Sequence, residues 1–186
     1  MLPPMPTRLV ALVLALVAFV AAPAPGAVAL DARWPDAEAY ELSLIACNRA
    51  GGWVKDDGTC DAEDKAGRVP KRPELAAAPK LADNLSRPYA RRLSRAGYLS
   101  HFLGGSIDER FAGIGMGDGR GGENIGYSGG RDDINAAVLH IHLMFQAEWK
   151  SNGPHWKNLT DRRFKKIGVG VWVREGRAYL VLDFHS

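Results

Sequence analysis

Apolar residues recur at helical spacing near the start of the chain. Tyr40, Leu44 and Cys47 follow one another at intervals of three or four residues. This spacing predicts a first helix over about residues 37–49, with Asp36 as its N-cap.

A second helical stretch has a more regular apolar stripe. The spacing predicts a helix over 79–96 that ends at Gly97, and Pro88 inside it predicts a kink or a break into two helices. One residue in every four is apolar and is expected to be buried: Leu81, Leu85, Tyr89 and Leu93.

A third helix is predicted from Asp132 or Asp133 to about Lys150, because carboxylates at its start favour a helix N-terminus. It has a strong apolar stripe: Val138, Ile141, Phe145 and Trp149.

The C-terminal part alternates with a period of two. Two apolar stretches, 167–174 and 179–184, flank Glu175 and Gly176, which predicts a β-hairpin with its turn at those two residues. Because both faces of the hairpin are apolar, we expect it at the centre of a sheet with helices on each side.

Two segments have no clear period. Residues 53–72 are polar and contain glycine and proline, which predicts a loop. Residues 104–130 contain eleven glycines, which predicts irregular structure with a short helix near 108–112. No strand of a βαβ unit precedes these glycines, so a dinucleotide-binding fingerprint is not supported.

The N-terminus has the pattern of a secretory signal peptide. Arg8 precedes an apolar run over 9–22, which is short for a membrane span, and Ala27-Val28-Ala29 is an A-x-A cleavage pattern. We therefore expect residues 1–29 to be a signal peptide and 30–186 to form one secreted domain. The alternative is an uncleaved N-terminal anchor. No later stretch is apolar enough to cross a membrane.

Charge and cysteine content fit this compartment. Removal of Arg8 with the leader lowers the formal net charge from +3 to +2, and no basic run with interleaved aromatic residues indicates nucleic-acid binding. Cys47 and Cys60 are the only two cysteines. In an exported chain such a pair predicts a disulfide, which would pin a loop insertion at about residues 50–72.

Histidines and one glutamate carry the candidate chemistry. His140 and His142 lie two residues apart on the third helix, so they point to different faces and are expected to be packed or surface residues. His101 and His155 each follow a helix end, and Glu123 lies among glycines. Imidazole and carboxylate groups transfer protons or bind zinc-type metals. A structural His–Glu pair explains the same residues without catalysis.

Other catalytic arrangements are weak. The chain has no Gly-x-Ser-x-Gly elbow, and neither cysteine resembles a nucleophile. Ser100 and Ser151 are adjacent to or near the histidines in sequence, which does not make a nucleophile–base pair. Asp108 and Glu109 are additional carboxylates near His101, but they could equally cap a helix or pair with Arg110.

The order of these motifs resembles the CAP superfamily, the SCP domain of cysteine-rich secretory proteins, antigen 5 and pathogenesis-related 1, in its bacterial secreted branch. The resemblance covers about residues 37–185. It is carried by a series of short motifs: Asn48-Arg49, Ser100-His101, Gly122-Glu123-Asn124-Ile125, Trp149-x-Ser151-x-Gly153-Pro154-His155 with Asn158, Ile167-Gly168-Val169-Gly170 and Phe184.

The resemblance implies an α+β fold, a three-layer α-β-α sandwich with a small central, mainly antiparallel sheet. It also implies a cleft with a His/Glu tetrad, for which the candidates are His101, Glu109, Glu123 and His155. His101 and His155 would be the metal ligands, and a divalent ion such as zinc the cofactor. The residues expected to line the ligand cleft are Glu123, Asn124 and Ser151. The disulfide-pinned insertion is not a general feature of that family.

Two functions from different classes follow from the resemblance. The first is a non-catalytic extracellular or cell-envelope domain that binds a lipid, glycan or peptide. The second is a metal-assisted hydrolase acting on peptide or envelope material, with Glu123 as base toward a bound water. A third interpretation is a structural envelope protein whose tetrad only stabilises the fold.

Overall fold

The computed structural model describes residues 34–64, 66–131 and 133–186. The predicted signal peptide, residues 1–29, lies outside the described residues. The elements in chain order are α1 (Pro35–Arg49), β1 (Trp53–Val54), β2 (Cys60–Asp61), β3 (Ala76–Ala77), α2 (Pro79–Leu81), a π-helical turn (Ala82–Ser86), α3 (Arg87–Ala96), α4 (Ile107–Gly113), β4 (Gly121–Gly129), α5 (Ile134–Ala147), a 3₁₀ turn (Glu148–Ser151), α6 (Pro154–Thr160), β5 (Lys166–Arg174) and β6 (Arg177–His185).

The main sheet has four strands in the order β3-β5-β6-β4. The predicted β5–β6 hairpin is confirmed at its centre, and its turn is made by Glu175 and Gly176, both in the left-handed region. β4 and β5 are antiparallel to β6, and only β3 is parallel to its neighbour. The predicted mainly antiparallel sheet is therefore confirmed.

Helices cover both faces of this sheet, which confirms the α-β-α sandwich. On one face, α1, α5 and α6 pack against the even-numbered apolar residues of β6 in the largest core cluster. On the other face, α3 packs against Tyr179 and Val181. The alternation of side chains along each strand assigns them to the two layers.

The second helical stretch is divided next to Pro88, as predicted, into α2 and α3, and Pro88 lies in the first turn of α3. The π-helical turn separates the two helices, and at its end the backbone N–H of Arg87 bonds to the carbonyl of Ala82. That turn lies directly on β5. A Cβ atom added to Gly170 would come within 2.3 Å of the backbone of Ser86. Glycine in β5 thus permits the helix backbone to touch the sheet.

The prediction of irregular structure over 104–130 is wrong for its second half, where β4 is a nine-residue strand. Its glycines leave room for side chains of the largest core cluster. A Cβ atom on Gly126 would lie 2.4 Å from Ile141, and one on Gly122 would lie 2.7 Å from Phe164. The short predicted helix near 108–112 is confirmed as α4, and the stop at Gly97 is confirmed by its left-handed backbone.

The N-termini of α1 and α5 differ in how they are capped. The prediction of Asp36 as N-cap is wrong, since α1 begins at Pro35 with Trp34 before it, and Asp36 lies in the first turn. A carboxylate remains favourable there because it faces the helix dipole. At α5, Asp133 is the N-cap and accepts a bond from the backbone N–H of Asn135.

The loop predicted over 53–72 contains a two-stranded antiparallel ribbon, β1–β2. The predicted disulfide between Cys47 and Cys60 is confirmed, with a Cα–Cα distance of 5.8 Å. A side chain at Gly52 would collide with both sulfur atoms. The disulfide therefore joins the ribbon to α1, and only glycine fits at position 52 beside its sulfur atoms.

A buried hydrogen-bond network joins this ribbon to α1 and α5. Gln146 donates through Nε2 to the carbonyl of Val54 and accepts through Oε1 from the Val54 N–H and from Asn48 Nδ2. Asn48 Oδ1 therefore faces Nε2 of His142 at 3.0 Å, and only a protonated Nε2 makes that bond. Nδ1 of His142 lies 2.9 Å from Glu41 Oε1. His142 is thus a packed residue, which is one of the two alternatives that its spacing left open.

Across residues 34–64, 66–131 and 133–186, no helix has the length and apolarity that a membrane span requires.

Candidate binding cleft and its polar groups

The first group of polar residues is centred on Glu123 of β4. Its Oε1 lies 2.7 Å from Nδ1 of His101, and its Oε2 accepts a 2.5 Å bond from Arg110. The Glu123 side chain is completely buried, whereas that of His101 is 38% exposed. The structure therefore brings His101 and Glu123 together, with the imidazole as the accessible member.

Tyr89 of α3 holds the segment that carries His101. Its hydroxyl donates to the carbonyl of Ser100 and accepts from the N–H of Leu103. The guanidinium of Arg110 lies over the Tyr89 ring at 3.6 Å. Burial raises the pKa of Tyr89, and the nearby Glu123 adds to this, while Arg110 opposes it. The hydroxyl thus stays protonated and keeps donating to this loop at neutral pH.

A second carboxyl group lies directly across the sheet from Glu123. Asp183 of β6 is its cross-strand partner and is fully buried, with a 2.7 Å bond from the Ser86 hydroxyl. Burial, followed by the neighbouring Glu123, raises the pKa of Asp183 to about 8, although Ser86 and Arg110 oppose the shift. Two carboxylates directly opposite one another are unfavourable. Asp183 therefore keeps its proton at neutral pH.

The second group consists of His155 and Glu148, which flank the turn between α5 and α6. Glu148 Oε1 lies 2.6 Å from Nδ1 of His155, and Oε2 accepts from the backbone N–H of the same residue. The left-handed Asn152 reverses the chain, and the missing Cβ of Gly153 leaves space for the carboxylate. The His155 ring packs on Phe145 with centroids 4.6 Å apart.

The two groups lie at different places relative to one cavity at the surface of the described residues. This cavity has a volume of about 560 Å³, and His155 and Glu148 line it, whereas His101 and Glu123 do not. Its remaining lining is mainly apolar and includes the partly exposed Tyr127 and Met144. We refer to it as the cleft. Its size and mixed lining are typical of small-ligand sites.

The other predicted site residues lie outside the cleft. Glu109 forms a capping box with Ser106 at the start of α4, which confirms the helix-capping alternative for this carboxylate. Asn124 is buried and donates to the carbonyl of His155. Ser151 is exposed and donates to the carbonyl of Glu148.

Sequence reasoning missed Glu148 and the role of Arg110. Glu148 is seven residues before His155, and only the turn at Asn152 makes the two adjacent. An ion pair between Arg110 and Glu123 depends on α4 packing beside β4, which the sequence pattern does not reveal. The carboxylate next to Trp149 at a helix end was the one available signal for Glu148.

The histidines are suited to bind metal only through their remaining nitrogen. Each Nδ1 contacts a carboxylate, an arrangement that orients Nε2 of metal-binding histidines. However, the described parts of the chain contain no group of three or more His, Cys, Asp or Glu side chains that could hold a metal ion. These residues therefore do not fit a zinc centre with three protein ligands.

Comparison with known proteins identifies the fold. No protein-family model matches the chain, and no curated protein matches it. The solved structures that match at probability 1.00 are all SCP/CAP-domain proteins. One is NaASP2 with Zn²⁺, with 17% identity, a TM-score of 0.52, and coverage of 82% of this chain and 80% of that one.

Two further matches extend over only part of a longer chain. Na-ASP-1 has 16% identity and a TM-score of 0.53, with coverage of 80% of this chain and 38% of that one. An extracellular SCP-domain protein from Bacillus anthracis has 24% identity and a TM-score of 0.47, with coverage of 61% and 34%. This chain thus spans little more than a third of those two proteins. At these identities the likeness to NaASP2 and Na-ASP-1 establishes a common fold.

Proposed function

We propose that this chain, which has the SCP/CAP fold, is a secreted, non-catalytic binding domain that takes an extracellular ligand in the cleft. The proposal includes removal of residues 1–29 as a signal peptide and a single binding domain over 30–186. An extracellular protein among its structural neighbours and the disulfide between Cys47 and Cys60 are consistent with an oxidising compartment outside the cytoplasm.

The observation that carries the proposal is the composition of the cleft. An apolar surface from Leu99, Tyr127 and Met144 meets the His155–Glu148 pair at the same cavity. The polar part of the lining also includes three further residues: Ser128, Arg131 and His140. Apolar lining supplies affinity, and a few fixed polar groups orient the ligand. The candidate ligands are lipid, glycan and peptide, and no feature of the chain indicates nucleic acid.

The alternative, a metal-assisted hydrolase, has less support. Glu123 was its candidate base, but both of its oxygens are bonded, to His101 and Arg110, and its side chain has no exposed surface. A general base must reach the proton that it removes. The contacts of Glu123 support a role in positioning His101 better than a role in proton transfer.

The cleft is tested by replacing Met144, which is 43% exposed on its wall. We expect Met144→Glu to weaken binding of a cleft ligand at least about tenfold, because a tenfold change requires only about 1.4 kcal/mol. Met144→Leu, the matched control, keeps the apolar surface and should bind as the wild type does. Titration calorimetry with phospholipid vesicles, cell-wall glycan fragments and heptapeptide pools measures this. Equal affinity of both variants for every ligand that binds would contradict the proposal, as would the absence of binding in all three classes.

A divalent metal at His101 and His155 remains a separate proposal, supported only by their oriented Nε2 atoms. Because no third donor accompanies them among the described residues, we expect weak zinc binding that disappears in the His101→Ala/His155→Ala variant. Zinc titration by calorimetry checks this. Tight binding that survives the double substitution would place the metal elsewhere.

A further inference from the structure

β4 is an edge strand that borders the cleft. In the sheet, β6 is its only strand neighbour among the described residues. Five consecutive β4 residues, 125–129, line the cleft. Successive side chains point to opposite faces of a sheet, so a cavity lined by consecutive residues follows the edge of the strand.

The register determines which backbone groups face this edge. The N–H of Ser186 donates to the carbonyl of Arg120, and the β4–β6 pairing continues from there without a bulge. Backbone groups alternate in direction along an antiparallel strand. Even-numbered residues of β4 therefore bond to β6, while the N–H and C=O groups of Ile125, Tyr127 and Gly129 point outward.

An independent contact confirms this alternation and shows how far along β4 other residues hydrogen-bond to its outward edge. The carbonyl of Glu123, also odd-numbered, accepts a 3.2 Å bond from Asn158 Nδ2 of α6. Beyond it, no hydrogen bond from any residue in 34–64, 66–131 or 133–186 reaches the outward backbone groups of Ile125, Tyr127 or Gly129. Hydrogen bonding to the outward edge by the described residues thus ends where the cleft begins. Among the odd-numbered residues, exposure increases from there, from 5% at Ile125 to 48% at Tyr127.

The open part of the edge has few of the features that normally prevent strand addition. A charged side chain, that of Arg131, follows the strand and donates to the Ser128 hydroxyl. Residues 125–129 contain no proline and no charged side chain, and the strand has no bulge there. Five residues of a strand extend over about 17 Å. Tyr127 is 48% exposed beside this segment, and Leu99 and Met144 provide apolar surface on either side of the edge.

We propose that the ligand of the cleft is an extended peptide segment that binds along residues 125–129 as an additional β-strand. This inference rests on the proposed function, since it names the ligand class of the same cleft. Main-chain bonds to Ile125, Tyr127 and Gly129 supply a sequence-independent part of the affinity. Alternate apolar side chains of the peptide pack on Tyr127 and Leu99 on one face and on Met144 on the other.

The test uses one pair of variants at Gly129, which is exposed and has an outward N–H. Gly129→Pro removes that N–H, and proline is tolerated at an edge when its nitrogen faces away from the sheet. Gly129→Ala keeps the N–H and is the matched control. The probe is a pool of acetylated heptapeptide amides with alternating apolar and Ser/Thr positions, from which retained peptides are resynthesised. We expect Gly129→Pro to bind them at least about tenfold more weakly than Gly129→Ala, which retains the N–H.

Two further measurements do not depend on the proline variant folding. N-methylation of alternate peptide amides should abolish binding for one of the two alternate sets and spare it for the other. In the complex, amide hydrogen exchange should slow at least about tenfold at residues 125, 127 and 129. It should stay unchanged at Gly126 and Ser128, which already bond to β6.

The failure of this inference is distinguishable from the failure of the proposed function. A lipid or glycan that depends on Met144 but binds Gly129→Pro as well as wild type would overturn the peptide assignment and retain the cleft. Retention of no peptide, or peptide binding without slowed exchange at the three odd-numbered amides, would also overturn it. A wild-type dimer that Gly129→Pro dissociates would assign the edge to a second copy of the chain instead. The absence of binding to any class would overturn both.

Discussion

Replacement of His142 with alanine is expected to lower the free energy of unfolding by about 3–5 kcal/mol. Both ring nitrogens of this completely buried residue are bonded, to Glu41 and Asn48. Burial raises the pKa of Glu41, and His142 opposes that shift. Without the imidazole, the Glu41 carboxyl group would be buried with no partner for either oxygen, since Oε2 already has none among the described residues. Urea denaturation monitored by circular dichroism measures the change.

Two further variants test whether this loss in the free energy of unfolding comes from the buried contacts of His142. His140→Ala, on the same helix but exposed, should change the free energy of unfolding by less than about 0.5 kcal/mol. The Glu41→Leu/His142→Leu variant should recover much of the loss, because an apolar pair can replace a buried polar pair. A cost below about 1 kcal/mol for His142→Ala would show that water enters and satisfies Glu41. The network would then contribute little to the attachment of the ribbon.

The Asp183→Asn variant should be less sensitive to pH than the wild type. In the native chain the pKa of Asp183 is about 8, against an ordinary value of 3.8. Between these values unfolding releases a proton, so the stabilisation is complete below about pH 4 and is lost as pH rises through about 8. From pH 5 to 7 the wild type should lose on the order of 2–3 kcal/mol relative to the variant, at about 1.4 kcal/mol per pH unit. Urea midpoints at the two pH values measure this.

An exposed carboxylate is the control for that experiment. Asp118→Asn changes the formal charge equally but lies on the surface, so its curve should stay parallel to that of the wild type. Parallel curves for Asp183→Asn and wild type would mean that Asp183 is ionised in the native protein. In that case Arg110, which also bonds to Glu123, would have to compensate both carboxylates.

The helices and the hairpin were predictable from the sequence because each has a complete period of its own. The stripe of the second helix and the alternation around Glu175 and Gly176 depend only on neighbours within the same element. β4 was missed because its glycines carry no side chains that could display a period. Small residues are needed in β4 because Ile141 and Phe164, from other parts of the chain, approach the strand closely.

The residues of the candidate site also divide into those that the sequence predicted and those that only the structure revealed. His101 and Glu123 were found from motif order, and the structure brings them within 2.7 Å. Glu109 was chosen because it is near in sequence, but its carboxylate is bonded within its own helix turn. Glu148 and Arg110 lie beside the histidines through a chain reversal and a helix–strand contact, which sequence distance does not encode.

By itself, the sequence determined the periodic elements, the disulfide and the resemblance to the SCP/CAP fold, because each depends on local spacing or on residue type. Only the tertiary structure decided which carboxylate accompanies each histidine, that Asp183 lies opposite Glu123, and that one edge of β4 is left open beside an apolar cleft. Those features arise from the approach of segments distant in sequence, which depends on how the layers pack rather than on the pattern within any one of them.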